Sequence, residues 1–214
     1  MLKNLMNQVE DAIAREAATR ELATYVRGFF SDQCGGDPRR AGDIESKTDF
    51  AMSFIFSYVQ GAPALLASLF RAGRDAGVHD DLIPVFLAAE DYFLQSADVL
   101  PDHLGLAGLA DDAYLAQSLL WRLSFEHFRL TFSPLIPYEL SPANALMRTM
   151  IGEPAATTLD AGIDAAMGVR DVQIAREHLA QKVRTLQLDI PPPPALPPGA
   201  NQGMELRLAS LAGM

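Results

Sequence analysis

Asp98, Asp102, Asp111 and Asp112 are the residues whose type and spacing come nearest to chemistry in this chain. Asp98 and Asp102 stand four apart, so a helical turn would set both carboxylates on one face, and Asp111-Asp112 open the next apolar helical pattern. Four carboxylates converging on one point would supply the oxygen ligands that Mg²⁺ or Ca²⁺ requires. A cation held there could activate water for hydrolysis, with His103 and Glu90 or Asp91 completing the site. The same positions suit a different task. Asp98 precedes a turn, Asp102 follows Pro101, and the Asp pair sits at a helix start, where carboxylates accept backbone N–H bonds and face the positive end of the helix dipole. Each such cap is worth about 1 kcal/mol. Capping is the preferred reading; a cation site and a partner-recognition surface are the alternatives.

Other side chains add little catalytic promise. His79, His103, His127 and His178 are widely separated and form no HExxH or paired ligand spacing. Glu126-His127 reads as an exposed pair on a helix. Cys34, the single cysteine, lies in a Gly-rich stretch with only Arg39 and Arg40 near it to favour a thiolate. No glycine-rich phosphate loop and no GxSxG elbow occurs.

The acids belong to a longer pattern: Tyr92 and Phe93, then Ser96-Ala-Asp98, two apolar residues, Pro101-Asp102, a short apolar stretch, Gly108, two apolar residues and Asp111-Asp112. This order resembles the signature of the YkvA-like family, a bacterial helical domain of unknown function. Ser96, His103 and Gly105 stand where that signature prefers proline, an aromatic residue and a second proline. The resemblance implies a helical corner at residues 92–112 and names no reaction.

Composition sets the remaining bounds. The chain of 214 residues can bury one sizeable core, and its 49% hydrophobic and 21% charged content is that of a globular protein. Net charge is −10, and residues 31–100 hold five Lys/Arg against eleven Asp/Glu. A surface of that sign repels phosphate backbones, so nucleic acid is not an expected partner. One cysteine permits no internal disulfide, and Asn4, Asn7 and Glu10 interrupt the apolar start, so a cytoplasmic protein without a secretory signal is expected. Residues 50–70 carry no formal charge and are long enough to span a bilayer. Gly61-Ala-Pro63 in their middle predicts two short buried helices instead, with a membrane-associated helical protein as an alternative.

The elements that must position these residues are helical throughout. Leu2, Leu5, Met6, Val9, Ile13, Leu22, Val26 and Phe29 predict a first helix over 2–28, followed by a loop from Ser31 to Asp43. Asp43 or Ser46 caps a second helix to Gln60, and Pro63 begins a third to Asp75, before Gly77. Asp80-Asp81 open a fourth through Phe93. Asp111-Asp112 open a fifth with Tyr114, Leu115, Leu119, Leu120, Leu123, Phe128 and Leu130 on its apolar face and Trp121 as its largest anchor. Ser141 as N-cap with Pro142 starts a sixth, to Met150. Thr158 caps the last, whose apolar face carries Leu159, Ile163, Met167, Ile174 and Leu179 and which fades by Leu188. No β-alternating run occurs, so the fold class is all-α, a single bundle of about seven helices over residues 1–189.

Residues 190–214 form a separate tail. Pro191 to Pro194 with Pro197 and Pro198 predicts an extended polyproline spacer, and the short apolar peptide beyond it has Leu206, Leu208 and Leu211 as candidate partner-binding anchors. The layout is similar to the cargo-loading tails that bring proteins into encapsulin shells, so a shell protein is one partner the resemblance implies. Taken together, the sequence points to a non-catalytic helical interaction or adaptor protein. A metal-assisted hydrolase using the Asp cluster, with Mg²⁺ or Ca²⁺, and a membrane-associated helical protein are the alternatives.

Overall fold

The computed structural model describes residues 22–24, 26–28, 41–95 and 108–190, with the backbone alone at 41–44, 46 and 88–95. Among these residues no strand occurs. Helical residues 22–24 and 26–28 (α1) precede α2 (Ala41–Asp75), α3 (His79–Gln95), α4 (Ala110–Thr131), α5 (Ser141–Ile151), α6 (Ala155–Gly168) and α7 (Arg170–Lys182). The protein is an all-α bundle, as its helical periodicity predicts. Predicted elements within residues 1–21 and 31–40, most of the corner at 92–112, and the tail beyond Ile190 lie outside the described residues.

The bundle is organised around α4, which packs against α2, α3, α5, α6 and α7. Leu119, Leu120 and Leu123 are fully buried, and Leu115 nearly so, because leucines at these offsets cover more than one flank of a helix. Leu22 and Val26 of α1 join the same core. The α2–α3 corner closes where Gly77 takes a left-handed conformation (φ 68°), with Val78 N–H donating to Gly73 O at 2.7 Å and Ala76 N–H to Ala72 O at 2.9 Å.

Three boundaries differ from expectation. First, α2 runs unbroken through Gly61 and Pro63. Pro63 deprives the Val59 carbonyl of its intrahelical donor. Yet Val59, Ala62, Leu65, Leu66 and Leu69 continue one buried stripe across the site, and Gln117 Nε2 of α4 donates to Tyr58 O at 2.9 Å beside it. Tertiary packing outweighs the local penalty. Second, Thr158 lies inside α6, and the predicted last helix is two, separated at Val169, whose φ/ψ of −63°/136° is extended. That break resets the helical phase, so α7 buries Val172, Ala175 and Leu179 while Ile174 is exposed. Third, Leu140 rather than Ser141 occupies the N-cap of α5, and the Glu139 carboxylate accepts the Ser141 N–H at 2.9 Å.

Beyond α7 the chain runs back along the end of α4 as a non-helical strap, residues 183–190. Leu186 N–H donates to Leu135 O at 2.7 Å, Arg184 Nη1 to Thr131 O at 3.1 Å, and Thr185 Oγ1 to Pro134 O at 2.8 Å. Asp189 N–H reaches Ser68 Oγ of α2 at 2.9 Å, and the Tyr138 hydroxyl donates to the Ile190 carbonyl.

The helix containing residues 47–75 is long and apolar enough to cross a membrane by length and composition, and half of its most apolar window is buried inside the bundle. Interior packing therefore accounts for much of its apolar content, in place of the predicted break.

Candidate functional site

Of the four predicted acids, Asp98 and Asp102 lie outside the described residues, as do Cys34, His103 and the tail leucines Leu206, Leu208 and Leu211. Asp111 is buried at the second residue of α4, where its Oδ1 accepts the Asp112 N–H at 3.0 Å; Asp112 is partly buried. This bond satisfies one of the orphan donors at the helix start, and Leu109, the N-cap residue itself, supplies no side-chain bond. Among the described residues, no group of three or more His, Cys, Asp and Glu side chains could hold a metal ion.

His127 is not the exposed residue its neighbourhood in the sequence suggests. It is 2% exposed because the strap crosses its face of α4, and its Nε2–H donates to Arg184 O at 2.9 Å. Burial pushes its pKa below the ordinary imidazole value; the bond to the Arg184 carbonyl opposes the shift and the Arg184 charge adds to it. Asp81, expected to open a helix, also clasps α7: Lys182 Nζ lies 2.7 Å from Oδ2 and His178 Nδ1 3.1 Å from Oδ1. Burial raises the Asp81 pKa, but the Lys182 and His178 bonds outweigh it and hold the carboxyl below its usual value.

The surface feature that stands out is one face of α4. Tyr114, Ser118, Trp121, Phe125, Phe128 and Phe132 follow one another at intervals of four, three, four, three and four residues, the spacing of a coiled-coil seam. Tyr114 and Ser118 run beneath the neighbouring helices and are buried. Past the partly buried Trp121 the seam emerges uncovered: Phe125 and Phe128 are each 45% exposed and Phe132 is 83% exposed. Trp121 stacks on Phe125 (centroids 5.7 Å, 21°) and Phe128 meets Phe132 edge-on (6.5 Å, 75°), so two ring pairs follow one another along the seam as an aromatic ridge.

Phe132 makes the ridge unusual. It caps α4 in the left-handed region (φ 57°, ψ 22°), its N–H donating to Phe128 O at 2.8 Å. Glycine is the usual occupant of such a cap, and a bulky side chain there costs about 1–2 kcal/mol. Nothing is recovered by burial, since the ring projects into solvent. Arg122 and Arg129, seven residues apart, flank the ridge on one side; Arg122 pairs with Asp164 of α6 at 2.9 Å and Arg129 with Glu126 at 3.3 Å. Both are pairs with an exposed member, of the kind worth little in water. Glu126 also receives Arg176 of α7 at 2.9 Å.

Where the seam dives under α5 and α6 it leaves a cleft of about 400 Å³. Its walls include Tyr114, Trp121 and Arg122 of α4, Asn144 of α5, and Asp160 and Asp164 of α6. The Tyr114 hydroxyl donates to Asp160 Oδ1 at 2.6 Å, and Arg148 Nε to Asp160 Oδ2 at 2.8 Å, while Arg148 Nη2 also reaches Glu153 Oε1 at 2.8 Å. Burial, followed by the Asp160 bond and charge, pushes the Tyr114 pKa far up, against a smaller downward pull from nearby Ser118 and from Arg148. Tyr114 is therefore a neutral donor, and the Asp160 charge is spent on Arg148. Behind the wall the Tyr58 hydroxyl donates to Asn144 Oδ1 at 2.7 Å.

Nothing in the sequence announces this network, because its members come from four helices, α2, α4, α5 and α6. The expected apolar face of α4 needs one correction: Phe128 and Leu130, placed on it with Tyr114, Leu115, Leu119, Leu120 and Leu123, are 45% and 52% exposed. The buried arc of α4 is centred on Leu119, Leu120 and Leu123 instead. No family model, no curated protein and no solved structure matches this chain.

Proposed function

We propose that this chain is a non-catalytic helical interaction protein, and that its docking surface is the aromatic seam of α4. The occupant is a helix of a partner protein with apolar residues at heptad spacing and carboxylates along the edge that meets Arg122 and Arg129. One observation carries the reading. The seam is covered where α5 and α6 pack on it and bare where Phe125, Phe128 and Phe132 continue it, with Phe132 held in a costly backbone conformation for no gain in burial.

Charge supports the choice of occupant. In a chain of net charge −10, a basic helix would be attracted to much of the surface, whereas an acid-edged helix is favoured only beside a row of cations. The arginines thus specify place and register, and the rings supply the buried contact. The tail anchors Leu206, Leu208 and Leu211 remain a second docking element of this proposal.

The test uses the full chain and two synthetic helices of about three heptads, both with leucine at the seam positions, one with glutamate and the other with lysine at the flanking positions. Calorimetry should show saturable binding of the glutamate peptide, at least about tenfold weaker binding of the lysine peptide, and loss of binding in Phe128→Glu. Binding of neither peptide, or equal binding of both to wild type and Phe128→Glu, would overturn the proposal. Concentration-dependent self-association abolished by Phe128→Glu would assign the seam to a second copy instead.

A further inference from the structure

The outer side of the α2–α3 corner holds a groove of about 460 Å³, built from other helices than the α4 seam. Gly73 brings its two walls together: a Cβ there would lie 2.5 Å from Leu82 Cδ1, so α2 and α3 meet closely on their inner sides. Outside that contact Ala67, Phe70, Arg71 and Arg74 share one face of α2 and line the groove with His79 and Ile83 of α3. Phe70 joins the walls, its ring centroid 5.8 Å from that of His79 and 5.0 Å from that of Phe86. Because the chain reverses at Gly77, Arg71, Arg74 and His79 gather at the corner end, and the groove turns apolar away from it through Phe70, Ala67 and Ile83. Leu87, one turn past Ile83, prolongs that apolar side and is 52% exposed.

We infer that this groove binds an amphiphilic carboxylate, a single anionic head on an apolar chain of medium length. Arg71 and Arg74 are exposed and neither has an ion pair or hydrogen bond among the described residues, whereas Arg148, Arg176 and Lys182 each pair with a carboxylate. Three residues apart on a helix, their guanidinium forks can converge on one carboxylate. Asp75 and Asp80 adjoin Arg74 and His79 in the chain, which favours a head of one negative charge over a phosphate dianion. Beyond the corner, Ala67, Phe70, Ile83 and Leu87 match an apolar body and would leave the hydroxyls of a sugar or nucleotide without partners. His79 to Leu87 spans about 12 Å of helix axis, which fits a chain of about ten carbons. Burying that chain supplies the affinity that an exposed ion pair alone lacks, and the volume lies in the range of small-molecule sites.

The full chain is titrated by calorimetry with decanoate below its micelle concentration, and with decanol, decyl phosphate and acetate. The Ile83 δ-methyl NMR signal locates the binding, since docking at the seam does not touch that group. Decanoate should bind saturably and move that signal, decanol should bind at least about tenfold more weakly, decyl phosphate no more tightly, and acetate not at all. Arg71→Gln combined with Arg74→Gln should weaken decanoate at least about tenfold while leaving the melting temperature nearly unchanged, because neither side chain has a partner in the fold. Phe128→Glu, which disables the proposed seam, should bind decanoate as wild type does. Equal binding of decanol, tighter binding of decyl phosphate, affinity indifferent to the arginine substitutions, or loss of binding in Phe128→Glu would each overturn the inference. Absence of saturable decanoate binding would overturn it as well, and cosedimentation with phosphatidylglycerol vesicles that the arginine substitutions abolish would then assign the face to a membrane.

Discussion

Phe132 poses a contest at the scale of single residues between fold and function. Its left-handed backbone favours glycine, so Phe132→Gly should stabilise the fold by about 1 kcal/mol, visible as a raised denaturation midpoint. The same substitution removes the most exposed ring of the ridge and should weaken binding of the glutamate peptide by about tenfold. A variant that loses stability, or that binds undiminished, would show that the ring serves the fold instead. His127 poses a second question, about pH. Its folded pKa lies below the ordinary value, so the folded state binds fewer protons than the unfolded chain. Its contribution to stability is complete above about pH 6.5 and is lost as pH falls through that value toward the depressed one. Melting temperature measured from about pH 7.5 to about pH 5 should therefore drop more steeply in wild type than in His127→Gln, which keeps a donor for the Arg184 carbonyl. Parallel curves would remove His127 from the account.

Single elements show where sequence reading succeeds and where it stops. The starts of α3, α4 and α5 were legible to within a residue or two, because acids and proline at helix starts act locally through backbone donors. The course of α2 was not. Gly61 and Pro63 argue for a break on local grounds, and the opposing evidence, a buried stripe completed by α4, comes from elsewhere in the fold. Gly61 tests this directly: it is exposed inside a continuous helix, and a Cβ added there meets nothing within 4 Å. Gly61→Ala should raise stability by about 0.5–1 kcal/mol in denaturant melts, whereas a corner that needs glycine would make the same change destabilising. Phe128 and Leu130, expected on the buried face of α4, are exposed for a related reason. Spacing defines a face, but whether that face looks inward depends on which helix covers it. Asp160 and Arg148 were invisible to the reading, since nothing in their local sequence announces a partner on another helix.

At the scale of the molecule, the bundle ends in a strap that pins residues 183–190 to α4 and α2, leaving the polyproline run beyond the last of these contacts. Removing residues 195–214 should leave the melting temperature nearly unchanged; unfolding on truncation would show that the tail belongs to the core. The seam carries its own reporter, because Trp121 is the single tryptophan of the chain. The most direct measurement is Trp121 emission from the full chain during titration with the glutamate-edged helix. A saturable blue shift is expected as the ridge is covered, weaker with the lysine-edged peptide and absent in Phe128→Glu. An emission maximum that does not move with either peptide, or that moves equally in Phe128→Glu, would contradict docking at the seam.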